Sequence, residues 1–492
     1  MRFIIRNNHD LDGITEEIIE QIRKEYGIEY GAVFDFGDTS REKIRDIEYF
    51  DYKYCTSDSI VYEDLIEHTV LPRNILDGML KYKSMALDVV TRECHYNVYR
   101  LSYVENFYYQ RLQFLYHFLQ INKIDFVLFL VPPHHAGEYI LYSLCEVMNI
   151  KKMVLIGVMP GGEFIPTCDI YDESSGIMGK YRDAGMKDYY INDTFREYIN
   201  RVNNHKTYSK SEIRAVQKQV HLSLFSFADR KKVLKAIRRF FIIPILPRFK
   251  EGRETLKEEN KRYLKLVFDI HKEERRMDHL DDYNKLSVIP DLTCKYIYFP
   301  LQQEPEDTTM PRAGEFKNQI LSLLILSEAA QKRGIKIYVK EHWVQEHREK
   351  GYYKRLRSIE NLQLVDIASD SCELIKNSVA VASQTGSSIF EAMILGKNSL
   401  IFGAGCPYKD SPGSFFVSNV EDVSNALDSI ITKGNGFTEN DINRYIFAYQ
   451  ESCIEFYCDS LDETHETYNR ANSARRVVEC ISGVAKYIGN SN

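Results

Sequence analysis

The stretch Phe126–Val158, FVLFLVPPHHAGEYILYSLCEVMNIKKMVLIGV, decides the fold class. Phe126–Val131 is a continuous apolar run, as expected of a strand buried on both faces of a parallel sheet. Pro132 and Pro133 end it, since neither offers a backbone N–H to a ladder. Ile140, Leu141, Leu144 and Met148 then recur at helical spacing, and Met153–Val158 is a second apolar run. Strand, helix and strand in this order form a β-α-β unit, whose crossover implies a parallel sheet.

Towards the N-terminus, Phe3–Arg6 reads as a short strand. Ile14, Ile18, Ile19 and Ile22 mark a helix running to about Tyr26 behind Asp12, a natural cap. Towards the C-terminus, residues 209–291 turn charged and helical, and no glycine falls between Gly252 and Gly314. Alternation then resumes. Tyr296–Pro300, Ile335–Val339, Leu362–Val365, Val379–Ala382 and Ser399–Phe402 read as strands, with helices over Phe316–Arg333 and Ser387–Leu395. After Gly436 the pattern is helical to the end, and Ala474–Tyr487 is expected to pack back on the first domain. The expected fold class is α/β: two Rossmann-like domains with a cleft between them and a helical charged insertion. The boundaries are 1–290 (including the helical segment 209–290), 291–440 and 441–492.

A chain of 492 residues exceeds one ordinary core. With 44% hydrophobic and 27% charged residues it has the composition of a folded soluble protein. A formal net charge of −7 argues against a nucleic-acid partner, which calls for a basic field. Ten scattered cysteines with no C-x-x-C pair read as reduced thiols, without a disulfide frame or zinc site. Phe3–Ile5 is too short for a signal-peptide core, and no window approaches the roughly 20 apolar residues of a membrane span. The expected location is cytoplasmic.

The chemistry concentrates in Val379–Tyr408, VAVASQTGSSIFEAMILGKNSLIFGAGCPY. A short strand runs into Ser383, Thr385, Gly386, Ser387 and Ser388, and a helix follows at once. Small hydroxyl residues around a glycine at a helix start leave N–H groups directed outward, which suits a phosphate. Glu391, one turn in, is placed to accept from a ribose hydroxyl. The same residues also fit an ordinary helix cap, with Ser388 and Glu391 at capping-box spacing. From the residues alone the two readings stand level.

The pattern T-G-S-S-x-x-E-A-x-x-x-G-K-x-x-x-x-F-G is similar to the nucleotide-sugar motif of GT-B glycosyltransferases. More narrowly, it resembles the bacterial capsule and surface-polysaccharide biosynthesis family that includes Kdo transferases. Three further segments match that family in order: VPPHHAGEYILYSLCEVMNI, KYIYFPLQQEPEDTTMP (Lys295–Pro311) and IKIYVKEHW (Ile335–Trp343). The likeness is specific over about 295–408 and weak elsewhere. Two departures stand out, Glu304-Pro305-Glu306 for the family's Gln-Pro-Glu and His342-Trp343 for its His-Pro.

The resemblance implies a metal-independent transferase that takes a nucleotide sugar, CMP-Kdo first, as substrate with no separate cofactor. It implies a glycan or lipid-linked acceptor and no metal ligands. Ser383 and Thr385–Ser388 would hold the donor phosphate, Lys340 and His342 would offset charge on the leaving group, and Glu304 would bear on donor choice. His134, His135 and Glu138 at the strand-to-helix turn are candidates for the acceptor-side base, with Asp10 and Asp12 behind them. The basic residues Arg230, Lys231, Lys235, Arg238 and Arg239, beside Phe240 and Phe241, fit either a docking element on the cytoplasmic face of the inner membrane or a core helix with a solvated face. A UDP-N-acetylglucosamine 2-epimerase and a non-catalytic scaffold in polysaccharide assembly are the competing readings.

Overall fold

A computed structural model describes residues 1–7, 14–35, 44–51, 70–93, 101–160, 162–185, 189–204, 277–304, 306–345, 347–455 and 469–489. Asp10, Asp12 and the basic stretch from Arg230 to Lys250 lie outside the described residues. The strands, in chain order, are β1 (Arg2–Arg6), β2 (Tyr30–Asp35), β3 (Glu48–Asp51), β4 (Phe126–Phe129), β5 (Lys151–Val158), β6 (Glu163–Thr167) and β7 (Met277–His279). They continue with β8 (Tyr296–Pro300), β9 (Lys336–Lys340), β10 (His347–Glu349), β11 (Leu362–Leu364), β12 (Ala380–Ser383), β13 (Ser399–Ile401), β14 (Ser414–Phe416) and β15 (Ile454–Glu455).

Two sheets carry the architecture. The first has the order β15-β6-β5-β4-β1-β2-β3, with β5 to β3 parallel and β6 and β15 added antiparallel at one edge. The second, β11-β9-β8-β12-β13-β14, is parallel throughout. Counted from β8 within its own sheet and leaving out β10, that order is 3-2-1-4-5-6, the doubly wound arrangement. Phe126–Val158 forms β4, the helix Ala136–Val147 and β5, as the apolar pattern implies. The central strands β1, β4, β8, β9 and β12 are buried on both faces because helices cover both sides, which is why their sequences show no alternation.

The chain departs from its sequence pattern at three places. The helix expected over Phe316–Arg333 is divided: a 3₁₀ turn covers Gly314–Lys317, and the helix begins at Gln319 behind Asn318, whose side chain accepts from the Ile320 N–H at 3.1 Å. The C-terminal part is not wholly helical, since β15 pairs with β6 after the helix Glu439–Ser452. Leu280 and Tyr283 join the second sheet's core, and β7 pairs with β10, so on the described residues that core starts ahead of Pro290. In the last helix, Arg470–Gly489, the residues Ala474, Val477 and Ile481 share a core with Ile14, Ile18 and Ile22 of the helix Ile14–Tyr26.

The two sheets are joined by buried polar and aromatic contacts. Arg312 grips Glu173 through two 2.7 Å hydrogen bonds, both side chains being buried. Gly405 lets the loop after β13 meet the first domain: an added Cβ would lie 2.4 Å from the Ile170 carbonyl oxygen. Tyr198 stacks on Phe390 at 6.0 Å, and Phe390 on Tyr449 at 5.0 Å.

Candidate functional site

In a doubly wound sheet, ligands bind beyond the carboxyl ends of the two strands where the order reverses. In the second sheet these are β8 and β12, which pair in parallel. The residues that follow them are locked together. Gln302 donates from Nε2 to Thr385 Oγ1 at 3.0 Å and accepts from the Thr385 N–H at 3.1 Å. Thr385 Oγ1 donates in turn to the Thr308 carbonyl at 2.8 Å, which draws the segment after β8 across the switch point.

Beside this lock the polar groups are not satisfied internally. Ser383 Oγ, Ser388 Oγ and Gln384 Oε1 are buried without a hydrogen-bond partner. A Cβ added at Gly386 would sit 3.0 Å from Ser383 Oγ and 3.6 Å from Ser388 Oγ, so only a hydrogen keeps the space between the two hydroxyls open. A buried polar group left unmade costs about 1–3 kcal/mol. The helix here is short, Ser388–Ile394, and Ser387 at its start makes no side-chain cap bond. The capping-box reading of Ser388 and Glu391 therefore fails. With seven residues the helix dipole is small, so the hydroxyls and Gly386 give the turn its character more than the dipole does.

Lys340 and Glu391 flank the same edge. Lys340 Nζ donates to the Ser369 carbonyl at 2.7 Å and to Ser371 Oγ at 2.8 Å. Burial pushes its ammonium down to about 8, against the opposing pull of Asp370 and Glu391. Burial raises the Glu391 carboxyl to about 6, with the Lys340 charge working the other way. The Tyr198 hydroxyl, from the first domain, lies 3.5 Å from Glu391 Oε1. His342, just past β9, is half-buried; its Nδ1 accepts from the Val344 N–H at 3.4 Å, and burial lowers it to about 4, so it is neutral at pH 7.

Glu304 and Glu138 do not line the cleft. Glu304 gives one oxygen to Arg348 Nη1 at 2.6 Å and the other to Gln319 Nε2 at 2.7 Å, and Arg348 also holds the buried Glu341. This is an internal brace for the loop, not a free carboxylate. Glu138 is fully buried beneath the turn: its Oε2 accepts from the N–H groups of His134 at 2.7 Å and His135 at 2.9 Å, and its Oε1 pairs with Arg6. It fixes the histidine turn and has no path to an acceptor.

His134 does face the junction, with its ring edge-on to His135 at 5.1 Å. Its Nδ1 is 3.9 Å from Glu306 Oε1. Arg92 clasps the two domains here, donating to the Met310 carbonyl at 2.7 Å and to the His134 carbonyl. Burial, aided by the Arg92 charge, lowers His134 to about 4. Burial and the neighbouring Asp307 charge raise Glu306 to about 7, whereas Arg312 holds Asp307 below the usual carboxylate range although burial opposes it. Among the described residues, His134, Glu306 and Asp307 are the one group whose ligand atoms, all within 4.8 Å, approach a metal-binding set. Two guanidinium groups adjoin it: Arg312 at 3.2 Å from Asp307, and Arg92 on the His134 carbonyl. That is a setting better matched to a shared proton than to a dication.

The sequence singles out His134 and the Ser383–Ser388 turn, and not the Gln302, Glu306, Asp307, Arg92 and Tyr198 that adjoin them in the fold. Gln302, Glu306 and Asp307 lie within the Lys295–Pro311 segment; Arg92 and Tyr198 carry no local signal, because each reaches from the first domain to the second. Among the described residues no helix is long and apolar enough to cross a membrane.

No protein-family profile matches the chain, and no curated protein does. Among solved structures it is similar to the β-Kdo 2,7-transferase KpsC of Thermosulfurimonas dismutans, with TM-score 0.31 and 10% identity over 92% of this chain and 100% of that one. It is also similar to UDP-GlcNAc 2-epimerase of Methanocaldococcus jannaschii, with TM-score 0.24 and 12% identity over 98% and 99% of the two chains. HepE of Anabaena, solved with UDP and glucose, has TM-score 0.26 and 10% identity over 98% and 100%. At these scores the fold rests on the strand order and register described above, one largely parallel and one wholly parallel sheet, and no reaction is carried over from any of the three.

Proposed function

We propose that this protein is a glycosyltransferase that moves a sugar from a nucleotide-activated donor onto a surface glycan or glycolipid. The observation that carries the reading is the switch point of the second sheet, where Ser383 and Ser388 present partnerless hydroxyls on either side of Gly386. Such a place in a doubly wound sheet suits a nucleotide phosphate. The T-G-S-S likeness to nucleotide-sugar enzymes adds support from the sequence.

The residues divide the work by charge. Lys340 offsets negative charge on the departing phosphate oxygen, and Glu391 accepts from the ribose. Glu306, across the cleft junction beside neutral His134, takes the proton of the acceptor hydroxyl. The acceptor oxygen bonds to the anomeric carbon, the bond from that carbon to phosphate breaks, and the nucleotide leaves with the electron pair. A carboxyl near 7 is matched to proton transfer at neutral pH. A CMP-linked donor and peripheral contact with the inner membrane belong to the same proposal.

Thermal unfolding with CMP, UDP, GDP and ADP at millimolar concentration tests it. A nucleotide at about 100 times its Kd adds roughly 2.7 kcal/mol of stability. Stabilisation by one of them, lost in Ser383→Ala with Ser388→Ala, is the expected result; no shift with any of the four refutes the reading. Incubation with UDP-N-acetylglucosamine alone separates transfer from epimerisation, because only an epimerase turns over without an acceptor.

A further inference from the structure

A second concavity lies at the opposite end of the helix Ser388–Ile394 from the switch point. It has a volume of about 410 Å³, within the size range of small-molecule sites. Three pieces build it. Ile199 and Asn203, one helical turn apart, come from the helix Asp193–Asn203 of the first domain. Ile442, Asn443 and Ile446 lie on one face of the helix Glu439–Ser452. Ile394, Gly396 and the loop through Phe437 close the remaining side.

The lining is specific in its chemistry. The floor is aliphatic and the walls are carboxamide. The side-chain amides of Asn203, exposed, and Asn443, half-buried, make no hydrogen bond to another described residue and face the groove. Asn435 is held in place by donating to the Gly396 carbonyl. Phe437 is fixed against the backbone of Gly413, where an added Cβ would come within 2.2 Å of its ring. Among the described residues no lysine or arginine lines the space, and Glu439, exposed at the rim, is the one charged group that does.

We propose that this groove binds an uncharged carbohydrate, as a holding site separate from the nucleotide cleft. Amide groups give a donor and an acceptor together, which matches vicinal hydroxyls, and an immobilised aromatic edge with an aliphatic floor takes the C–H face of a sugar ring. A phosphate or a nucleotide finds no counter-charge among the described residues there, and the carboxamide walls disfavour a lipid tail, which would leave them unpaired. Because the groove joins helices of both domains, an occupied groove favours the arrangement in which they meet.

Saturation-transfer NMR on the full chain, with lactose and N-acetylglucosamine as probes, tests this. Transfer to the ring protons of at least one sugar is expected. Asn443→Ala and Asn203→Ala should each weaken it about fivefold, the share of one neutral hydrogen bond. Ser383→Ala with Ser388→Ala, which disables the nucleotide site, should leave sugar transfer at the groove unchanged, and so should high salt. Absence of transfer from both sugars overturns the proposal. Transfer that ignores both asparagine changes, or that vanishes in the serine double variant, also overturns it by placing the sugar elsewhere. Nucleotide stabilisation is read independently, so either site can fail without the other.

Discussion

The two sheets reverse strand order at equivalent places, β1 against β4 in the first and β8 against β12 in the second, and they treat the resulting crevice in opposite ways. At the first, Arg6 from the end of β1 meets Glu138 from the turn after β4, and Glu138 also takes two backbone N–H groups. The crevice is plugged by a buried ion pair whose carboxylate has its needs met. At the second, two hydroxyls and an amide oxygen are buried without partners. The same crossover thus gives one edge filled by a satisfied carboxylate and one edge left with oxygens that have no partner. A group whose needs are met inside the fold belongs to the architecture, and one whose needs are unmet points to a ligand.

The largest effect that would break this contrast is on stability at the closed edge. Glu138→Ala removes the carboxylate that pairs with Arg6 and takes two N–H groups in the interior, and removing one partner of a buried pair costs about 3–5 kcal/mol. Urea unfolding should show that loss, while nucleotide affinity in the folded fraction stays as in the wild type. If affinity falls with little loss of stability, Glu138 serves the cleft and the contrast is wrong.

Next in size is the acceptor side. Glu306→Gln keeps the shape and removes the proton acceptor, and kcat should fall about a hundredfold. Burial sets the Glu306 carboxyl to about 7, so the wild-type rate should climb as pH rises through 7 and the proton leaves. The variant profile should be flat there. Treatment with EDTA should leave both rates unchanged; a rate restored only by a divalent ion would instead assign His134, Glu306 and Asp307 to a metal.

At the unfinished edge, Lys340→Met should weaken nucleotide binding about tenfold, the worth of a charged hydrogen bond. Its pKa is depressed by burial to about 8, so the ammonium exists below that pH and is lost above it. Wild-type affinity should therefore decline as pH rises through 8, and calorimetry on the variant should show no such step. Folding stability should fall as well, by about 1–3 kcal/mol, because the Ser369 carbonyl and Ser371 Oγ lose their donor.

The residues explain which parts of this were legible in the sequence. Phe126–Val158 announced its β-α-β unit because strands buried on both faces are written as unbroken apolar runs. The antiparallel strands at one side of the first sheet were not legible. β6 contains Pro166, which reads as a strand breaker yet is tolerated near an edge, and β15 is only Ile454 and Glu455. At the site, the turn Ser383–Ser388 was legible as a local pattern. Its lock was not, because Gln302 reaches Thr385 across 83 positions. Glu138 shows the converse: a carboxylate beside two histidines looks catalytic in a string of letters, and only burial and three donors reveal a brace.

The smallest effect is also the sharpest probe of the comparison. An architectural serine replaced by alanine loses its hydrogen bond, about 1 kcal/mol, and the protein is destabilised. Ser383 has no such bond to lose, and its hydroxyl is buried at a cost. Ser383→Ala should therefore leave the free protein equally stable or slightly more so. The same change should weaken nucleotide binding about fivefold, since the contact appears only when the ligand arrives. Measuring both quantities on one variant separates the cases by sign. If stability drops, Ser383 has a partner inside the fold and its edge is as finished as the first; if stability holds and affinity falls, the hydroxyl is kept unpaired for the ligand.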